Sequence, residues 1–316
     1  MNVEKLHEQF DEYCSLKWPT ILGIGALAVT LAVARFDVSG ETNVVRAAHQ
    51  QQVQVENTSI VSANAHDELP ENMQGLKDEI VTESPSIVMM QEVSHDSLDS
   101  LQLAFPEWSM AFVYGDARQK VLRGGLGNLI MTRGKMESIK SLRIEKTTQL
   151  VANLKVVEGV AKDLLSLDVS LPRAKKASVE ERAVLALTTE VTVDGKPEEI
   201  QIVTSHIARQ DGVRQEQLQA VTHYLEDISH DADSTIFCGD LNTNPMGAIT
   251  AFAKIGFVVI PASHKTYIGS KKGSIVDHCA FYAKGRLGYE KTLIAKKFRT
   301  DHRPIRIEPK ILPGIE

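Results

Sequence analysis

Short, solid blocks of apolar residues recur along this chain, each closed by glycine, proline or polar side chains. Thr235-Ile236-Phe237-Cys238 and Ser86-Ile87-Val88-Met89-Met90 are the clearest, and such runs predict buried strands. Further strands are expected over 58–67, 108–114, 126–132, 182–193, 199–204, 256–260 and 274–282, with another near Leu293. Asp194-Gly195 is a hairpin signal between two of them. Apolar residues at helical spacing punctuate the strands: Met73, Leu76 and Ile80; Leu98, Leu101 and Leu103 up to Pro106; Val213, Leu218, Val221, Leu225 and Ile228. A short helix is expected over 248–254. Residues 135–180 select no element clearly.

The N-terminus has a different pattern. Met1–Lys17 is polar, and Trp18–Ala34 is then seventeen residues without a charge, at the lower edge of what spans a bilayer. It is expected to be a transmembrane anchor or signal segment, with the rest of the chain outside the cytoplasm. Residues 35–57 are polar and Gln-rich and predict a linker, leaving 58–316 as the folded domain.

Composition narrows this little: 43% hydrophobic and 24% charged residues fit a globular protein. Net charge is −6, which argues against a protein that coats nucleic acid by bulk charge. From Lys265 to Lys310, however, twelve Lys/Arg face four acids, which suggests an anionic ligand on that side. Of three cysteines, Cys238 and Cys279 lie in apolar runs, and their spacing fits no zinc motif. A bridge between them is open outside the cytosol.

Candidate chemistry sits where the strands end. Gly239-Asp240-Leu241-Asn242 closes one, and residues two apart on an extended chain point the same way. Asp240 and Asn242 would then offer a charged and a neutral oxygen to a hard divalent cation. Asn64, Glu92, His206, Asp277 and Asp301-His302 lie at other strand ends. Each alone has an ordinary explanation as a turn residue, a solvated acid or a structural histidine. Their recurrence at strand ends is what points to one cleft.

Taken together, these residues resemble the endonuclease/exonuclease/phosphatase superfamily, with its DNase I-like fold. The matching motifs are Asn64, Gln91-Glu92, Thr204-Ser205-His206, Gly239-Asp240-Leu241-Asn242, Val276-Asp277-His278 and Thr300-Asp301-His302-Arg303-Pro304, in family order. Gly127-Asn128 and Arg182 resemble the starts of two further family strands. The resemblance implies an α/β four-layered sandwich, two mixed sheets face to face with helices outside, preceded here by the N-terminal hydrophobic helix. Residues 140–176 exceed the family core and are expected to be an insertion.

The resemblance also implies a mechanism. Glu92 and Asp301, with Asn64 near them, would bind Mg²⁺, for which Mn²⁺ can substitute. Asp277 would orient His302 as the base for a water; Asp240 and Asn242 would orient that water or hold phosphate or a second ion. His206 would contact the phosphate or leaving oxygen, but the sequence offers it no acidic partner. Asn64, Lys271 and Lys272 are candidate substrate contacts. Nucleic acid is the expected substrate; the alternatives are a phospholipid, sphingomyelin or inositol-phosphate hydrolase, or a catalytically silent scaffold.

Overall fold

Along Ile87–Met90 alternate side chains enter different apolar clusters. Ile87 and Met89 pack between two sheets, while Val88 and Met90 face outward with Ile80, Leu98 and Leu101. The same split runs through Ile236 and Cys238, which face the other sheet, and Phe237, which packs with Val221, Leu225 and Phe252. Strands covered on both faces need no polar side, which is why the sequence shows solid apolar blocks rather than alternation.

The computed structural model describes residues 42–45, 53–54, 59–65, 70–115, 126–144, 182–193, 195–260, 262, 264–269, 273–294 and 301–312. The segment 18–34, Lys271 and Lys272 lie outside them, as does most of the expected insertion. Among the described residues no helix is long and apolar enough to cross a membrane.

The first half contributes β1 (Thr42–Val45), β2 (Val53–Gln54), β3 (Ile60–Asn64), β4 (Ile87–Ser94), β5 (Ser109–Tyr114), β6 (Leu126–Thr132) and β7 (Met136–Ile144). The second contributes β8 (Arg182–Val193), β9 (Lys196–His206), β10 (Ser234–Asp240), β11 (Val258–Ile260), β12 (Asp277–Ala283), β13 (Leu287–Ile294) and β14 (Ile305–Ile311). Helices α1 (Pro70–Glu83), α2 (His95–Ala104), α3 (Asp211–Ile228) and α4 (Pro245–Ala253) lie between strands. One sheet has the order β1-β5-β6-β4-β3-β14-β13; the other runs β11-β12-β10-β9-β8-β2, with β7 also on β8. Both are mixed: β3–β4, β9–β10 and β2–β8 are parallel and the remaining pairs antiparallel.

Several local expectations change. Residues 42–45 and 53–54, within the expected linker, pair with β5 and β8. Stretches this short show no periodicity to read. β7 takes in Lys140–Ile144, the start of the expected insertion, and is buried only at its two ends, Met136 and Ile144. The sequence predicts no strand where β14 forms, between β3 and β13. Leu103 is 85% exposed, so only Leu98 and Leu101 of that triad enter the core.

Strand direction gathers the polar ends. Parallel pairing sets Asn64 beside Gln91 and His206 beside Asp240. Antiparallel pairing sets the end of β10 beside the start of β12, so Asp240 opposes Asp277. Two registers below, Cys238 opposes Cys279, and the two are joined as a disulfide. Gly239 is required by a close approach: a Cβ there would lie 2.0 Å from the carbonyl oxygen of Ser205.

Gly239→Ala is therefore expected to lower stability by about 1–3 kcal/mol through overpacking. Urea unfolding checks this; a variant as stable as the parent contradicts the close approach.

Candidate active site

Asp240 is the hub. It is wholly buried, and its two oxygens are held by different parts of the fold. The Asn64 amide donates to Oδ2 across the gap between the sheets at 3.1 Å, and the Asn242 backbone N–H donates to Oδ1 at 2.9 Å. The second bond turns the chain back on itself. Asn242 has a φ of 46°, in the left-handed region, so it does not project beside Asp240 from an extended strand as the spacing suggested. Its amide nonetheless reaches the site: Nδ2 donates to the Ile207 carbonyl at 2.9 Å and lies 3.2 Å from His206 Nε2.

Glu92 also departs from regular geometry. The β4–β6 register shifts between Met90 and Val93, and Glu92 has a φ of 55° at this bulge. Its Oε1 lies 3.1 Å from His206 Nδ1, and 3.5 Å from the Asn64 amide nitrogen that donates to it. His206 thus has the acidic partner that the sequence did not reveal. A bulge re-aims one side chain without altering the residue pattern, so the sequence carries no trace of it.

His302 stands on the other side of Asp240. Its Nδ1 is 2.9 Å from Asp277 Oδ2, and its Nε2 is 3.7 Å from Asp240 Oδ2. Asp277 is fixed in turn by Thr266, whose buried hydroxyl accepts from the Val276 and Asp277 N–H groups, each at 3.1 Å. Nothing in the sequence around Thr266 marked it. Arg182, in sequence only a strand start, has its Nη1 3.2 Å from His206 Nδ1. Asp301 is tied to the neighbouring loop where its carbonyl accepts from the Ile268 N–H at 2.7 Å.

These surroundings drive the two imidazoles apart. Burial lowers His206 well below its ordinary value, and the Arg182 charge lowers it further despite Glu92. Burial also opposes charge on His302, but the hydrogen bond to Asp277 and the charges of Asp277, Asp240 and Asp301 raise it to about 9. Asp240 is pushed up to about 7 by burial and then by the Asp277 charge. An acid that resists ionising beside another carboxylate is a cluster short of positive charge. Asp240, Asp277 and His302 place ligand atoms within 4.8 Å of one another, a group able to hold a cation. The abundance of carboxylate oxygen suits a hard divalent ion. Asp301, expected as a metal ligand, is not in this three-residue group; Glu92, expected as another, faces His206.

A sequence model of the endonuclease/exonuclease/phosphatase family matches residues 63–302. Among solved structures, a mannosyl-6-phosphatase of Bacteroides thetaiotaomicron superposes with a TM-score of 0.59 at 14% identity, covering 80% of this chain and 99% of that one. The human nocturnin catalytic domain with bound sulfate gives 0.56 at 16% identity, over 88% and 98%. TDP2 of D. rerio with a single-stranded DNA product gives 0.55 at 16% identity, over 80% and 98%. At such identities the likeness is one of fold. No curated protein matches the sequence.

The raised pKa of His302 links stability to pH. Its contribution is fully present below its ordinary value of 6.5 and is lost as pH rises through about 9. Asp240, raised to about 7, acts in the same direction at lower pH. In EDTA the melting temperature is therefore expected to fall between pH 7 and pH 9, and Asp277→Asn should flatten that fall. A melting temperature that rises over this range contradicts the assignment.

Proposed function

The chain belongs to the endonuclease/exonuclease/phosphatase family, and from that premise we propose a divalent-metal-dependent phosphodiesterase that acts on nucleic acid outside the cytoplasm. The observation that carries the reading is the pair of imidazoles flanking Asp240, one bonded to Asp277 and the other facing Glu92. Two titratable groups driven to opposite protonation states around one buried carboxylate are a proton-transfer arrangement.

Asp240 and Asp277, with Glu92, Asn64 and Asp301 around them, are the residues that would hold Mg²⁺ or Mn²⁺. Such an ion supplies neutralisation of phosphate charge. Everything else falls to the side chains. Asp277 occupies His302 Nδ1, so His302 exchanges its proton at Nε2, the nitrogen turned toward Asp240. His206, kept neutral by burial, and the Asn242 amide form the opposite wall, where they bind and orient a phosphate oxygen. Asn64 holds Glu92 and Asp240 in register.

The TDP2 structure with a DNA product supports the choice of nucleic acid. The Cys238–Cys279 disulfide supports an oxidising compartment, as does the apolar segment 18–34 read as anchor or signal.

With Mg²⁺, the purified protein is expected to hydrolyse DNA or RNA, and EDTA should abolish turnover. His302→Ala should reduce kcat by roughly 10²–10⁴-fold, the usual worth of a proton-transfer group. Preference for sphingomyelin or phosphoinositides in the same panel shifts the substrate; inactivity on every phosphoester points to a silent scaffold. For the compartment, alkylation of denatured, unreduced protein should label at most one cysteine, and reduction should release two more. Three labelled cysteines before reduction contradict it.

A further inference from the structure

The loop that follows His206 carries an arginine whose setting the chemistry above leaves unused. Arg209 is exposed, and its guanidinium carbon lies 5.7 Å from the centre of the Tyr267 ring. That ring in turn lies against His302, with centroids 5.0 Å apart. One aromatic ring therefore separates an exposed cation from the imidazole of the proton-transfer pair.

The loop beneath it is anchored at several points. The Ala208 N–H donates to the buried Gln217 side chain at 2.7 Å. Arg214 Nη1 donates to the Arg209 carbonyl at 3.2 Å and to the Asn242 carbonyl at 3.0 Å, tying this loop to the turn after Asp240. Arg214 is itself paired with Asp211, and Arg306 with Glu83. Among the described residues Arg209 has no carboxylate partner.

We propose that Arg209, seated on Tyr267, forms a subsite for a second phosphoryl group of the substrate, next to the phosphoester that reacts at His302. This rests on the phosphodiesterase reading and sharpens it. A guanidinium presents paired donors that match phosphate oxygens, and stacking on an aromatic face holds that plane in place. A substrate with several phosphates satisfies it; nucleic acid supplies them along its backbone, and an inositol polyphosphate supplies them on one ring. A choline ester brings a cation to the same place and is repelled.

The test compares Arg209→Ala with wild type on an oligonucleotide, an inositol polyphosphate and bis(p-nitrophenyl) phosphate, which has a single phosphate. Lys254→Ala, at the other end of α4 from the site, controls for the lost charge. The expected result is that Arg209→Ala lowers kcat/KM at least tenfold more on a multiphosphate substrate than on bis(p-nitrophenyl) phosphate. Whichever substrate shows this names the source of the second phosphate. Oligonucleotide binding in EDTA should also lose about 0.7–0.9 from its log–log salt slope in Arg209→Ala and not in Lys254→Ala. Equal losses on all three substrates overturn the subsite. If the wild type hydrolyses neither the oligonucleotide nor bis(p-nitrophenyl) phosphate, the phosphodiesterase reading fails, and the salt slope then decides the subsite: flattened, it holds; unchanged, it is rejected.

Discussion

At the mouth of the cleft a hydrogen bond crosses the gap between the two sheets, from the Asn64 amide to the buried Asp240 carboxylate. Its existence requires that β3 in one sheet and β10 in the other end at the same level. Two further polar bridges hold that alignment: Gln91 Nε2 donates to Thr204 Oγ1 at 2.8 Å, and Asn128 Nδ2 to the Ala183 carbonyl at 2.7 Å. Behind them the apolar layer from Ile60 to Ile307 sets the separation of the sheets. That layer is non-directional and tolerates sliding; the three bridges do not. The apolar core thus brings the walls together, and the polar bridges set their register.

The register has electrostatic consequences. Placing Asp240 opposite Asp277 at the ends of adjacent strands puts two carboxylates in a buried space, and burial amplifies their repulsion. The protein answers on one side with His302, whose raised pKa follows from those charges. On the other side burial, and then the charge of Arg182 beside it, keeps His206 from taking a second positive charge. Similar imidazoles therefore reach different states: burial and then the Arg182 charge outweigh Glu92 at His206, whereas the hydrogen-bonded Asp277 and the nearby acids outweigh burial at His302. Identity of side chain did not decide this; neighbours did.

The same distinction explains what the sequence disclosed. Residue types at strand ends were legible, because a solid apolar block closed by Asn, Glu, His or Asp is visible in one dimension, and β-pairing then brings the ends together. Directions were not legible. Glu92 turns at a bulge and Asn242 turns through a left-handed backbone, and neither leaves a mark in the order of residues. Hence the missing partner of His206, and the extended geometry wrongly expected of Asn242. β14 has a charged, proline-bearing sequence, IRIEPKI, that carries no strand signal, although Ile305 and Ile307 fill the core between the sheets.

Thr266–Ile268 ties the candidate active site to the proposed Arg209 subsite. The Thr266 hydroxyl holds the Asp277 N–H, and the Thr266 carbonyl accepts from the Arg303 N–H at 2.6 Å. Tyr267 pairs with Ser274 through both backbone groups, and the Ile268 N–H reaches the Asp301 carbonyl. Three consecutive residues thus splice the segment that carries Asp277 to the segment that carries His302. The middle one also presents its ring to His302 and to Arg209. A phosphate held at the proposed Arg209 subsite would therefore bear on the same backbone that spaces Asp277 from His302. A loop free to vary for recognition would lack these bonds; this one is constrained because the proton-transfer pair is built across it.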